Sequence, residues 1–553
     1  MTFALTLAVS AALAGGQARA QAPLSAIDWL EETLRPSAGL PQESGAGAGD
    51  AGHPVSPAEP GLWERDRITM QPIDAPSAGA VGLFPAARLG LPADLWGQTP
   101  ATELAALVRA LPSDTLPVLR GLALGLLLAE FDPPPVNRAG ATGGTGGTGE
   151  TEIPDGGAQD AAISFVTARI DALIGFGALD QAAALLDTLD SDDLALRARA
   201  FDIALLLGEE GRECLRVLAA DAAGSPAAPR IFCLARDGRW DEAERLHARL
   251  TESGTLRQPY RDLLAHFLDA DDLMHAETLP DFLREDYVQP QNLSPLAWRI
   301  LEATGAPVAA HGLPVAFAHA DLRGTIGWRA QLEAAERLVR SGALPPNRLL
   351  GLYTERNAAA SGGIWERVRA VQRLEAALDD GSASAVAPAL QRVWPLIVDA
   401  ELEVAFASLY AASLLDAPLG GEAALLAARI GLLDSDPARA ARRLAAAAGA
   451  ADRFLAAVVL GSESGDAASL ARGALQESVA EALATPLPPL PQALADQVEA
   501  GRAGAGLLIA LARLGGVIDP NALGQALVLM RHLGLEESAR TAALQALLLD
   551  RRG

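Results

Sequence analysis

Two hexads, Gly177-Ala178-Leu179-Asp180-Gln181-Ala182 and Gly238-Arg239-Trp240-Asp241-Glu242-Ala243, constrain the fold of this chain more than any other feature. Each follows an apolar run spaced for a helix (Ile170, Leu173, Ile174; Ile231, Phe232, Leu234) and leads into another (Leu185, Leu186, Leu189; Leu246, Leu250). Glycine frees the backbone at the end of the first helix, aspartate favours the start of the second, and alanine lets the two axes approach closely. A repeated helical hairpin cannot cover its own apolar face, so it must stack on its neighbours. The predicted fold is therefore all-α, an irregular solenoid of stacked hairpins.

A degenerate copy of the unit lies between the two clear ones, at Leu206-Leu207-Gly208-Glu209-Glu210-Gly211, and runs into Cys214 to Leu218. The pattern Gly-x-Leu/Trp-Asp-Gln/Glu-Ala resembles the turn and second-helix start of tetratricopeptide repeats. That resemblance covers about a fifth of the 553 residues, with irregular spacing and little of the first-helix signature. It implies a tetratricopeptide-like solenoid that recognises other proteins.

Composition agrees with many thin helices, because half the residues are hydrophobic and only 4% are aromatic. The net charge of −25 becomes −26 once a leader carrying only Arg19 is removed. A polyanion is repelled by such a chain and no basic cluster offsets this, so nucleic acid is excluded as a partner and anionic lipid is disfavoured. All 44 basic residues are arginine. Without lysine there is no phosphate-loop lysine, Schiff base or Ser-x-x-Lys acylation.

Residues 3 to 14 form a short apolar run ahead of Ala18-Arg19-Ala20, which fits a signal peptide (1–20) cleaved before Gln21 and places the protein in the periplasm. No positive charge precedes the run, which leaves room for an upstream start, and no Cys follows the cut to take a lipid anchor. Residues 21–35 read as a short amphipathic helix with Ile27, Trp29 and Leu30 as candidate docking residues, capped by Ser25. Its apolar face docks on a partner or on the chain's own solenoid. Residues 36–80, rich in Pro, Gly, Ala and Ser, read as a disordered tether.

Further along, 81–132 reads as a helical segment in which Thr99 caps a helix opened by Pro100 and a second helix runs from Leu116 to Phe131. Residues 133–160 read as a linker. Its Gly144-x-Gly146-x-x-Gly149 formally matches a dinucleotide fingerprint but follows no strand and opens no helix. The tetratricopeptide-like block occupies 161–290, middle helical repeats 291–485 and C-terminal helices 486–553; Ser435 and Asp436 are expected caps ahead of Pro437.

Cys214 and Cys233, the only cysteines, fall on adjacent predicted helices, and in an oxidising compartment they are expected to form a bridge. His266, Asp269, Asp271, Asp272 and His275 are metal-ligand types, yet nine residues of helix put the two histidines on opposite faces, so no metal is predicted. The most residue-specific stretch holds His319, Asp321, Arg323, Trp328, Arg329, Tyr353, Glu355, Arg356, Ser361 to Gly363 and Trp365. Arg329, Tyr353, Glu355, Arg356 and Trp365 are candidate partner-binding residues, with Glu355 or Arg356 pairing Arg329 or Asp321. A packed loop with Trp328 and Trp365 as anchors is the competing reading.

An exported helical solenoid resembles soluble lytic transglycosylases, but none of the Glu-Ser pairs here sits in the motifs that surround their catalytic one, and no carboxylate pair replaces it. No G-x-S-x-G or His-Glu-x-x-His motif occurs, so no catalytic residue or cofactor is predicted. The whole chain also resembles a family of uncharacterised exported helical proteins of Gram-negative bacteria, some labelled antifreeze-glycopeptide related; the regular Thr arrays an ice-matching surface needs are missing here. That family's association with flagellar motor genes implies an accessory of the motor or cell envelope. The expectation is a non-enzymatic periplasmic scaffold binding protein partners, with a flagellar or envelope accessory as one alternative and a peptidoglycan-binding or peptidoglycan-active protein using 321–365 as another.

Overall fold

In the computed structural model, the described residues are 78–135, 155–189, 191–220, 226–269, 293–447, 449–461 and 467–549, all within the compact unit Ser37–Gly553. The expected N-terminal helix with Ile27, Trp29 and Leu30, nearly all of the expected tether, and the glycine-rich stretch lie outside them.

The fold is an all-α solenoid of stacked hairpins. It opens with α1 (Ala101–Arg109) and α2 (Pro117–Leu128), followed by the repeat block α3 (Asp155–Gly175), α4 (Leu179–Asp187), α5 (Leu194–Leu207), α6 (Glu210–Ala219), α7 (Ala227–Arg236), α8 (Trp240–Glu252) and α9 (Tyr260–Leu268). The middle holds α10 (Pro295–Ala303), α11 (Ala318–Asp321), α12 (Trp328–Arg340), α13 (Pro346–Glu355), α14 (Gly363–Asp380), α15 (Ala383–Asp399), α16 (Glu403–Asp416), α17 (Gly421–Gly431), α18 (Ala438–Ala445), α19 (Ala450–Leu460), α20 (Ala467–Leu470) and α21 (Ala474–Ala482). Four helices close the chain: α22 (Gln492–Glu499), α23 (Ala503–Ala512), α24 (Pro520–His532) and α25 (Glu536–Leu548). No helix among the described residues is long and apolar enough to cross a membrane.

The hexads form the turns expected of them. Gly177 and Gly238 sit at φ 77° and 79°, and Gly208 of the degenerate copy at 78°. In this left-handed region a side chain is strained, and the Gly177 and Gly208 amides return to the carbonyls of Ile174 and Leu205. Ala182 and Ala243 are fully buried where paired helices cross.

Three local expectations are corrected. Thr99 does not cap α1: the residue ahead of that helix is Pro100, and the fully buried Thr99 hydroxyl has no hydrogen-bond partner. The second helix stops at Leu128, because Ala129 and Glu130 turn extended and pair in parallel with Phe84 and Pro85. Ahead of α18 the cap position is Pro437; the expected Asp436 accepts from the first helical amide, Ala438, at 3.4 Å, while Ser435 makes no cap bond among the described residues.

The two ends of the solenoid pack on each other. Helix α1 lies against both α3 and α23, and α2 against α25. Thr115 pairs with Gly515 and its hydroxyl donates to the Leu514 carbonyl at 2.6 Å. The Gln98 amide donates to Gly501, the Gly504 amide to Leu95 and the Gly516 amide to Asp114, each at 2.9–3.0 Å. Gln545 accepts from the Val118 amide at 2.9 Å, and Arg502 pairs with Glu103. Arg169 of α3 ties the N-terminal segment together by donating to the carbonyls of Val81, Leu127 and Ala129.

Candidate functional site

Helices α4, α5 and α6 enclose a cleft of ≈ 1060 Å³. Leu186, Leu196 and Leu207 supply apolar lining, and Asp187, Arg197, Arg212, Glu213 and Arg216 supply charge. Arg212 and Arg216 are one helical turn apart on α6, so both face the same groove. Arg212 meets Asp187 across it at 3.0 Å, and Arg216 meets Glu213 at 2.9 Å. Both arginine side chains remain more than half exposed, so these pairs add little stability and stay open to exchange for a ligand's charges. Leu194 and Leu215, 58% and 65% exposed on α5 and α6, add apolar surface to the same pair of helices.

Helix α6 is held from behind. Cys214 and Cys233 form a disulfide to α7 with Cα atoms 5.1 Å apart, as expected from the sequence. Its first residue, Glu210, is a buried carboxylate bonded by Arg236 at 3.0 Å and Arg299 at 3.1 Å. Burial pushes that carboxyl up, and its own backbone amide with Arg299 and Arg236 outweighs the push and holds it below the usual range. Arg299 continues to Glu302, and Glu302 to Arg323, whose guanidinium lies over the Trp298 ring. One ionic chain thus ties α6 and α7 to α10 and the segment after α11.

The segment from 319 to 365 divides into buried and exposed parts. His319 is buried and bonds the Gly177 carbonyl at 2.6 Å, bracing the turn of the first hexad; burial lowers its basicity despite that bond and nearby Asp180. Tyr353 is also buried and donates to Glu336 at 2.6 Å, while Arg367 grips both oxygens of that carboxylate at 2.8 and 2.6 Å. Burial and then the Glu336 charge raise the Tyr353 phenol well above its ordinary range. Tyr353 is therefore core, not contact surface: its hydroxyl finds Glu336 there, and Arg367 neutralises that carboxylate, so none of these polar groups is buried unpaired.

Arg329, Arg356 and Trp365 do come together, around a second cleft of ≈ 580 Å³ with Trp328, Glu333 and Asn357. The Trp328 and Trp365 rings lie 5.1 Å apart, with Trp328 buried and donating to the Leu352 carbonyl. The expected pairings are different from those found: Arg329 bonds Glu333 one turn along its own helix, and Glu355 bonds its neighbour Arg356. Short-range partners win on the surface because they need no second element to be held in place. Glu355 is exposed outside the cleft lining.

Among the described residues no group of three His, Cys, Asp or Glu is arranged to hold a metal ion. The α4–α6 cleft was not singled out from sequence. Its available signal was the four-residue spacing of Arg212 and Arg216 on the second helix of the degenerate repeat. No known protein family, curated protein or solved structure matches the chain.

Proposed function

We propose that this chain is a non-enzymatic scaffold exported to the periplasm, where it binds protein partners through the α4–α6 cleft. The observation that carries this reading is the cleft itself: an open groove on a helical repeat, apolar along its lining and rimmed by exchangeable Arg/acid pairs, with α6 fixed by a disulfide and a buried ionic chain. Rigid backing lowers the ordering cost of binding, and the charged rim supplies specificity. The leader-like run and the paired cysteines support export.

The test is affinity capture from periplasmic extract, with the chain from Gln21 as bait beside an Arg212→Glu/Arg216→Glu bait. Partners held by the first and lost by the second are expected. Equal capture by both contradicts recognition in this cleft, and loss only on deleting 21–80 moves recognition to the N-terminal segment.

A second reading, a peptidoglycan binder, draws on the Trp328–Trp365 pair beside Arg329 and Arg356, since an aromatic face with flanking cations suits sugar rings bearing carboxylates. Saturable pelleting with purified sacculi, lost on Trp365→Ala, supports it; failure to pellet removes it.

A further inference from the structure

A third cavity, ≈ 340 Å³, opens where five distant parts of the chain meet: the turn before α2, the end of α3, residues 314 and 315, the end of α12, and Glu401 after α15. Its size sits at the lower end of the roughly 300–1,000 Å³ of small-molecule sites. Phe176, Pro314 and Val315 give it an apolar wall. Two opposite charges line it, Arg340 and Asp114, and no ion pair or side-chain hydrogen bond engages either among the described residues. Their main chains are tied down: the Arg340 carbonyl accepts from Arg120, and the Asp114 carbonyl accepts from the Gly516 amide at 2.9 Å.

The neighbouring cations have other work. Arg337 is committed to the carbonyls of Ala310 and Leu313 at 2.7 and 2.6 Å, and Arg120 to those of Ser113 and Thr115 at 3.1 and 2.8 Å. Burial and then the Arg340 charge make the Arg337 guanidinium less basic than usual, a repulsion that an anion placed beside Arg340 relieves. Glu401 adds a second carboxylate to the lining, so a simple anion meets repulsion as well as attraction. A molecule carrying both charges meets neither problem.

We propose that this cavity binds a small zwitterion, a free amino acid or a short peptide with an apolar side chain, its carboxylate on Arg340, its ammonium on Asp114 and its side chain against Phe176 and Val315. The two charged residues stand on segments far apart in sequence, Asp114 exposed and Arg340 half-buried, and the ligand bridges them where no protein ion pair does among the described residues.

Calorimetric titration of the full chain from Gln21 tests this with free leucine, the dipeptide Ala-Leu, its N-acetylated form and its C-terminal amide. Leucine or Ala-Leu is expected to bind, with affinity reduced about tenfold or more by either block, by Arg340→Gln or by Asp114→Asn, since each removes one charge-assisted contact. Binding of leucine alone identifies the amino acid as the ligand, and of Ala-Leu alone the peptide. The blocked ligands need no protein variant, so a misfolded substitution does not obscure the result. Failure of both zwitterions to bind at millimolar concentration overturns the proposal, as does equal binding of blocked and unblocked forms.

Discussion

Arg169 is buried among three carbonyl acceptors, and burial lowers its pKa to about 10, which leaves it charged at neutral pH. Arg169→Met strands those carbonyls and is expected to cost about 3 kcal/mol or more in urea unfolding, far above a surface substitution. Tyr353→Phe removes one bond to a carboxylate that Arg367 still holds, so its expected cost is only about 1–2 kcal/mol in the same measurement. Asp202 has a pH signature. Burial, opposed by Arg199 and reinforced by Asp171, raises its pKa from 3.8 to about 6. As pH rises through that interval the unfolded chain releases the proton while the fold retains it, so the folded state loses stability and the loss is complete above about pH 6. Asp202→Asn should therefore raise the urea midpoint at pH 7.5 and leave it nearly unchanged at pH 4. At this scale the sequence was least legible. Tyr353 read as contact surface because nothing local announces Glu336, seventeen residues back, or Arg367 on the next helix.

The hairpin is the scale at which sequence and structure agree best. A glycine followed two or three residues later by Asp or Glu and a small residue is a complete local instruction, and the α3–α4, α5–α6 and α7–α8 turns follow it at Gly177, Gly208 and Gly238. Pro and Gly punctuation marks further starts: α10 opens at Pro295, α12 follows Gly327 and α13 opens at Pro346. A proline takes the cap position itself at Pro100 and Pro437, so Thr99 makes no cap bond, while Asp436 still accepts from the Ala438 amide. The disulfide also belongs to this scale, joining α6 to α7 across a separation of 19 residues. By the loop-entropy relation, opening a loop of that length costs about 3 kcal/mol. Cys233→Ser, or reduction, is expected to lower stability by about that amount and to loosen Arg212 and Arg216 in the candidate cleft. Unfolding curves with and without reductant measure the first effect.

Across the whole described unit, the contact of the first helices with the last had no counterpart in the sequence reading. The partners, Thr115 with Leu514 or Val118 with Gln545, stand about four hundred residues apart, and a contact of that range leaves no periodicity to detect. Glycine marks the junction only in retrospect: a side chain at Gly504 would meet the Trp96 ring at 2.7 Å and the Leu95 carbonyl at 2.8 Å. Closure explains why the apolar helices α2 and α23 are buried, and the Gly516 amide reaches the backbone of Asp114, one residue of the small cavity's lining. Hydrogen exchange followed by mass spectrometry, on the chain from Gln21 and on its Gly504→Val variant, tests this closure most directly. Residues 95–120 and 500–516 are expected to be protected together in the unmodified chain and to lose protection together in the variant, while 165–235 stays protected. Unchanged protection of 95–120 in the variant would contradict it.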